Sequence, residues 1–98
     1  MKRILLAAAM GAVFAPAASA GMIERACLMS PKGGDRALCG CIQQVADMTL
    51  DRYEQRRVVE FFRDPHEAQV VKMSKHANDA MFWERYKRFG AEAERFCG

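Results

Sequence analysis

The sequence predicts an all-α fold, a small disulfide-stapled helical bundle of three to five helices that follows an N-terminal signal peptide. Apolar residues recur at helical spacing from Asp35 to the C-terminus, and no segment keeps the two-residue alternation of a half-buried strand. Four cysteines occur in a short chain that begins like an exported protein. Together these observations favour helices joined by two disulfides.

The first twenty residues have the pattern of a secretory signal. Lys2 and Arg3 provide a positive start, residues 4–15 are mostly apolar, and Ala18-Ser19-Ala20 is a small-residue cleavage site. A membrane anchor is the alternative, but this apolar run is shorter than the about 20 residues that span a bilayer. We therefore expect a periplasmic or secreted protein with no transmembrane span after cleavage.

Cleavage would divide the chain into a signal peptide, residues 1–20, and one small domain, residues 21–98. The full chain has a net charge of +3, but Lys2 and Arg3 leave with the signal. The basic balance is therefore no reason to expect a nucleic-acid partner. A domain this small buries only about 60–65% of its unfolded surface and is marginally stable. Disulfides, at about 2–4 kcal/mol each, would supply part of the missing stability.

Two helix starts are predicted in the middle of the chain. Asp35 is a predicted N-cap, and Asp51 followed three residues later by Glu54 has the pattern of a capping box. The second helix is expected to end before Pro65, with Val58, Phe61 and Phe62 facing inward. The apolar stripe of the first helix comprises Leu38, Cys41, Ile42, Val45, Met48 and Thr49.

The sequence Asp64-Pro65-His66-Glu67 predicts the next helix start, with Asp64 as N-cap, Pro65 at the first helical position and Glu67 at the third. One long helix kinked near residues 74–78 and two helices separated there both fit the pattern. Gly90 is a further position at which the last helix could bend or end. The apolar stripe of this region comprises Phe82, Tyr86, Phe89, Ala93 and Phe96.

The segment Cys39-Gly40-Cys41 requires a choice between a redox pair and two structural bridges. Residues two apart on a helix project about 200° apart, so these cysteines cannot bond to each other without unwinding the backbone. We expect them to bond separately to Cys27 and Cys97. The spacing leaves both pairings open, with a weak preference for Cys27–Cys41 and Cys39–Cys97 because Cys41 lies on the predicted core stripe.

The alternative function is that of a thiol–disulfide redox protein, in which Cys39-Gly40-Cys41 forms a strained disulfide. A metal site is not expected, because His66 and His76 lie ten residues apart and the methionines lack ligand spacing. The methionines are interpreted as core fillers. Haem, zinc, hydrolase and phosphate-loop motifs are also missing from the sequence, so we expect no cofactor and no enzymatic activity.

A structural or binding role in the cell envelope is the function that the sequence favours. An aromatic groove could receive an envelope protein or a small ligand, although aromatic side chains also fill cores. A short basic cluster, Arg52, Arg56 and Arg57, could contribute, although such clusters are also ordinary solvated helix faces. The candidate binding surface comprises Trp83, Phe82, Tyr86, Arg52 and Arg56.

Three segments, LCGCIQQVAD, FFRDPHEAQ and FWERYKRFGAEAERFC, resemble a family of small exported alphaproteobacterial proteins of uncharacterised function. The resemblance covers nearly all of residues 21–98. Some members of that family carry the name arginine transporter, so the resemblance implies a role in arginine transport. A permease needs several spanning helices, and residues 21–98 contain none. The implied role is therefore that of an accessory protein.

Overall fold

The computed structural model describes residues 21–31 and 33–98, and over these residues it is a stapled helical bundle, as the sequence predicts. Its helices are α1 Met22–Met29, α2 Arg36–Thr49, α3 Arg52–Arg63, α4 His66–Met73 and α5 Ala77–Cys97. The predicted signal peptide, residues 1–20, lies outside the described residues. None of the helices described here is long and apolar enough to cross a membrane.

Side-chain caps set the starts of α2 and α3. The side chain of Asp35 accepts a hydrogen bond of 2.7 Å from the backbone N–H three residues later. Asp51 and Glu54 form the complete capping box, with reciprocal bonds of 2.8 and 2.9 Å. The predicted start of α4 is wrong by one residue: the helix begins at His66 with Pro65, not Asp64, at its N-cap and without a side-chain cap bond, although Asp64 accepts a bond of 3.1 Å from the backbone N–H of His66. These bonds satisfy N–H groups that have no partner inside a helix.

The region after Pro65 forms two helices, not one kinked helix. The backbone is extended at Ser74 and His76, which separate α4 from α5. The helix α5 then continues through Gly90 to Cys97. A glycine inside a helix costs only about 1 kcal/mol relative to alanine, so the packing of the surrounding turns keeps the helix continuous.

The hydrophobic core collects side chains from every helix. Its aromatic part is formed by Phe61, Phe82 and Tyr86, with the Phe61 and Tyr86 rings edge to face at 4.9 Å and the Phe61 and Phe82 centroids 5.9 Å apart. Such pairs add about 0.5–1.5 kcal/mol to the burial of their area. The buried cluster comprises Ile23, Val45, Ala46, Leu50, Val58, Phe61, Val71, Phe82 and Phe89.

The buried face of α2 differs from the predicted stripe. Cys39, Gln43, Val45 and Ala46 are the buried residues of this helix, whereas Met48 is 70% exposed. The predicted stripe is right for Val45 and wrong for Met48, and it left out Gln43 because that residue is polar. Gln43 is buried because its side-chain amide forms hydrogen bonds with α1 and α3. A pattern based on the spacing of apolar residues cannot predict such a position.

Several other side chains that the sequence assigned to the core lie at the surface. Phe96 is 59% exposed, and the Arg95 guanidinium lies 5.2 Å from the centre of its ring. The interpretation of the methionines as core fillers is wrong for four of them, which are between 65% and 83% exposed: Met29, Met48, Met73 and Met81.

Two disulfides join α2 to its neighbours. Cys27–Cys39 links α1 to α2, and Cys41–Cys97 links α2 to the end of α5. The prediction that Cys39 and Cys41 bond separately to the other two cysteines is confirmed. The preferred pairing is wrong, because Cys39 is fully buried and faces α1 while Cys41 is only half-buried. All cysteines in the described residues are in disulfides.

Candidate functional site

A cleft of about 660 Å³ opens between the first half of α3 and the first half of α5. We call it the charged cleft, because carboxylates and guanidinium groups from both helices face into it. It is lined by Asp51, Tyr53, Glu54, Arg57, His76, Asn78, Asp79, Met81, Phe82 and Arg85.

One ion pair crosses the cleft from α3 to α5. The Arg57 Nη2 atom lies 2.9 Å from Asp79 Oδ1, and each side chain is about one quarter exposed. The Arg57 guanidinium also lies 4.5 Å from the centre of the Phe82 ring. Ser74 Oγ donates a hydrogen bond of 2.6 Å to the second oxygen of Asp79. The hydrogen bonds from Ser74 and then from Arg57 lower the pKa of Asp79 below 3.8, so this carboxylate is ionised at neutral pH.

A second ion pair joins Glu54 of α3 to Arg85 of α5 through Glu54 Oε2 and Arg85 Nε. The other oxygen of Glu54 accepts the N–H of Asp51 in the capping box. The Glu54 side chain is only 10% exposed, whereas that of Arg85 is 54% exposed. Both oxygens of a nearly buried carboxylate are therefore used, which offsets the cost of removing its charge from water.

Asp51 is the third carboxylate of the cleft and is exposed. Its Oδ1 atom accepts the N–H of Glu54, and within the described part of the chain it forms no ion pair. Tyr53 and Met81, which are 60% and 65% exposed, also line the cleft. The cleft thus combines three carboxylates with two guanidinium groups, next to an exposed aromatic ring.

The residues of the predicted binding surface lie at different places. Phe82 lines the floor of the cleft and is buried beneath Arg57. Trp83 and Tyr86 are half-buried, with ring centroids 5.1 Å apart, and burial raises the pKa of Tyr86 above 10.0. Arg52 and Arg56 are exposed and do not line the charged cleft. The structure therefore brings only Phe82 of this set into the cleft.

Sequence reasoning placed Arg57 in a basic cluster without predicting its ion pair, and it missed Asp79 and Arg85. Their partners are on another helix or in the loop before it, so no local spacing indicates the pairs. The capping-box pattern found Asp51 and Glu54, but as helix caps and not as cleft residues. Within residues 21–31 and 33–98, no group of three or more histidine, cysteine, aspartate or glutamate side chains could hold a metal ion.

The chain matches no family model, no curated protein and no solved structure. The interpretation of the charged cleft therefore depends on its own geometry and charge.

Proposed function

We propose that residues 21–98 form an exported, non-catalytic binding domain of the cell envelope, and that the charged cleft binds a small cationic ligand. The observation behind the proposal is the excess of one carboxylate in the cleft, since Asp51 has no ion pair among the described residues. A ligand guanidinium or ammonium group would pair with Asp51 and lie against the exposed ring of Tyr53. The two disulfides and the absence of a membrane-spanning helix in the described residues are compatible with export.

L-Arginine is the first ligand to test. Its guanidinium group matches carboxylate geometry and also stacks on aromatic rings, which are the two groups that Asp51 and Tyr53 offer. Its α-carboxylate has a possible partner in the half-exposed guanidinium of Arg85. The choice also agrees with the arginine-related role that the sequence resemblance implies. Binding should be weak, because ion pairs in contact with solvent contribute only about 0–1 kcal/mol each.

A titration of residues 21–98 with L-arginine, followed by amide chemical shifts, tests the proposal. We expect saturable shifts around Asp51, Tyr53 and Asp79. Asp51→Asn keeps a good N-cap residue but removes the charge, and should weaken binding by up to about fivefold. Asp35→Asn is the matched control, because Asp35 caps α2 with the same kind of bond and does not line the cleft.

Two results would contradict a cationic ligand in this cleft. One is the absence of saturable shifts with both L-arginine and L-lysine. The other is equal binding by the Asp51→Asn and Asp35→Asn variants, which would place the ligand elsewhere on the domain.

The redox alternative gains no support from the disulfide pairing. A C-G-C catalyst needs a bond between Cys39 and Cys41, and these residues belong to different disulfides. The Cys27–Cys39 bridge is also buried, so an incoming thiolate has little access to it.

A further inference from the structure

An apolar groove of about 550 Å³ lies between α1 and α3, and none of its lining residues is shared with the charged cleft. Met22 and Met29 of α1 face Val59 and Phe62 of α3 across it. Met29 is 83% exposed, the highest value among the large apolar residues of the described chain. The groove is therefore open to solvent at its α1 rim.

The groove continues past the end of α1. Pro31 and Phe62 line both this groove and a neighbouring apolar pocket of about 260 Å³, which extends to Pro65. The shared residues join them into one apolar surface that runs from α1 to Pro65. Its size and its mostly apolar lining are typical of sites that bind a small molecule.

The charged side chains that line the groove among the described residues are basic. Arg25 and Arg63 line it, and among the described residues no aspartate or glutamate does. The side chain of Arg63 is 68% exposed, and within residues 21–31 and 33–98 its one ion pair is with Glu60, one turn earlier on α3. Such an exposed pair is weak, so Arg63 remains able to bind another carboxylate. Guanidinium groups bind carboxylates through two parallel hydrogen bonds.

We propose that this groove binds a free long-chain fatty acid, with the hydrocarbon chain along Met29, Phe62 and Pro65 and the carboxylate at Arg63. Apolar walls match the chain, and a basic rim without acidic residues matches the head group. Affinity should increase by up to about fourfold for each methylene that the groove buries. The proposal does not depend on the charged cleft and stands whether or not that cleft binds a cation.

A titration of residues 21–98 with sodium dodecanoate, kept below its micelle-forming concentration, tests the proposal. The readout is the methyl NMR signals of Met22 and Met29. Hexanoate has the same head with a shorter chain, and dodecyltrimethylammonium has the same chain with the opposite charge. We expect saturable shifts with dodecanoate, with hexanoate at least about 100-fold weaker and dodecyltrimethylammonium at least about tenfold weaker.

Three exposed positions allow variants that keep the fold. Met29→Glu places a negative charge at the groove and should weaken dodecanoate binding by at least tenfold, whereas Met73→Glu, at a similarly exposed methionine of α4, should not. Arg63→Gln should weaken dodecanoate but leave dodecyltrimethylammonium unchanged.

Three results would overturn the proposal. Equal affinity for the two twelve-carbon probes would remove the role of the basic rim, and full dodecanoate binding by Met29→Glu would place the chain elsewhere. A dimer in light scattering that Met29→Glu disperses, without dodecanoate shifts, would assign the groove to a second copy of the chain.

Discussion

The side-chain carbonyl oxygen of Gln43 accepts a hydrogen bond of 2.9 Å from the backbone N–H of Glu24. Gln43 belongs to α2 and Glu24 to the first turn of α1, where the N-cap residue Gly21 provides no side-chain bond. The Gln43 amide nitrogen donates to Gln55 at 3.0 Å and to Asp47 at 2.8 Å. One buried amide therefore joins α1, α2 and α3.

Replacing Gln43 by alanine should strongly destabilise the domain. Gln43→Ala leaves the N–H of Glu24 and the side-chain carbonyl of Gln55 without these partners, and each unsatisfied buried group costs about 1–3 kcal/mol. We expect the free energy of unfolding in urea to fall by about 2–4 kcal/mol. Gln44→Ala is the control, since Gln44 is exposed and should change stability by less than about 0.5 kcal/mol. Equal effects of the two variants would show that the buried amide contributes little.

Two glycine-to-alanine substitutions should have opposite effects. A Cβ atom at Gly21 would overlap the side-chain amide of Gln43, which its hydrogen bonds hold in place, whereas a Cβ at Gly90 meets no atom within 4 Å. Gly90→Ala lies inside α5 and should stabilise by about 0.5–1 kcal/mol. Gly21→Ala should destabilise by about 1–3 kcal/mol. Thermal unfolding of both variants measures the difference, and a stabilised Gly21→Ala would mean that Gln43 moves aside at no cost.

The parts of this fold that the sequence predicts are those set by local chemistry. The caps Asp35 and Asp51 act within three residues of themselves, and the separation of Cys39 and Cys41 follows from the helix rotation alone. The buried face of α2 was mispredicted because Gln43 is polar, and only its partners on other helices make its burial favourable. The charged cleft was not predicted for a related reason, since its ion pairs join residues more than twenty positions apart.

The ionised carboxylate of Asp79 should contribute to acid sensitivity. Its folded-state pKa is lowered by the bonds from Ser74 and Arg57, so its contribution is fully present above about pH 4 and is lost as the pH falls through the lowered value. We expect the thermal midpoint to fall less steeply between pH 4 and pH 2 in Asp79→Asn and Ser74→Ala than in the unmodified chain. Ser30→Ala is the control, because the Ser30 hydroxyl donates to a backbone carbonyl and to no carboxylate. An unchanged slope in Asp79→Asn would contradict this role.

The two disulfides should differ in their contribution to stability. Cys41–Cys97 closes a sequence separation of 56 residues, whereas Cys27–Cys39 closes one of 12. Loop-closure entropy then predicts losses of about 4 kcal/mol for Cys41→Ala/Cys97→Ala and about 3 kcal/mol for Cys27→Ala/Cys39→Ala. Urea unfolding of the two double variants measures the difference. A larger loss of stability in Cys27→Ala/Cys39→Ala would show that packing around the buried Cys27–Cys39 bridge outweighs loop length.

The pairing itself is best tested with double variants, because trypsin cannot separate Cys39 from Cys41. Both lie in the peptide between Arg36 and Arg52, so a digest of the intact chain gives the same linked peptides for either pairing. Removing Cys27 and Cys39 should leave Cys41 and Cys97 bonded, with no free thiol. Removing Cys27 and Cys41 should leave two free thiols, because Cys39 faces α1 whereas Cys97, at the end of α5, lies on the Cys41 side of α2, so the two cannot approach bonding distance. Thiol titration under denaturing conditions counts the free thiols of each variant. Two free thiols after removal of Cys27 and Cys39, with none after removal of Cys27 and Cys41, would establish the Cys27–Cys41 and Cys39–Cys97 pairing.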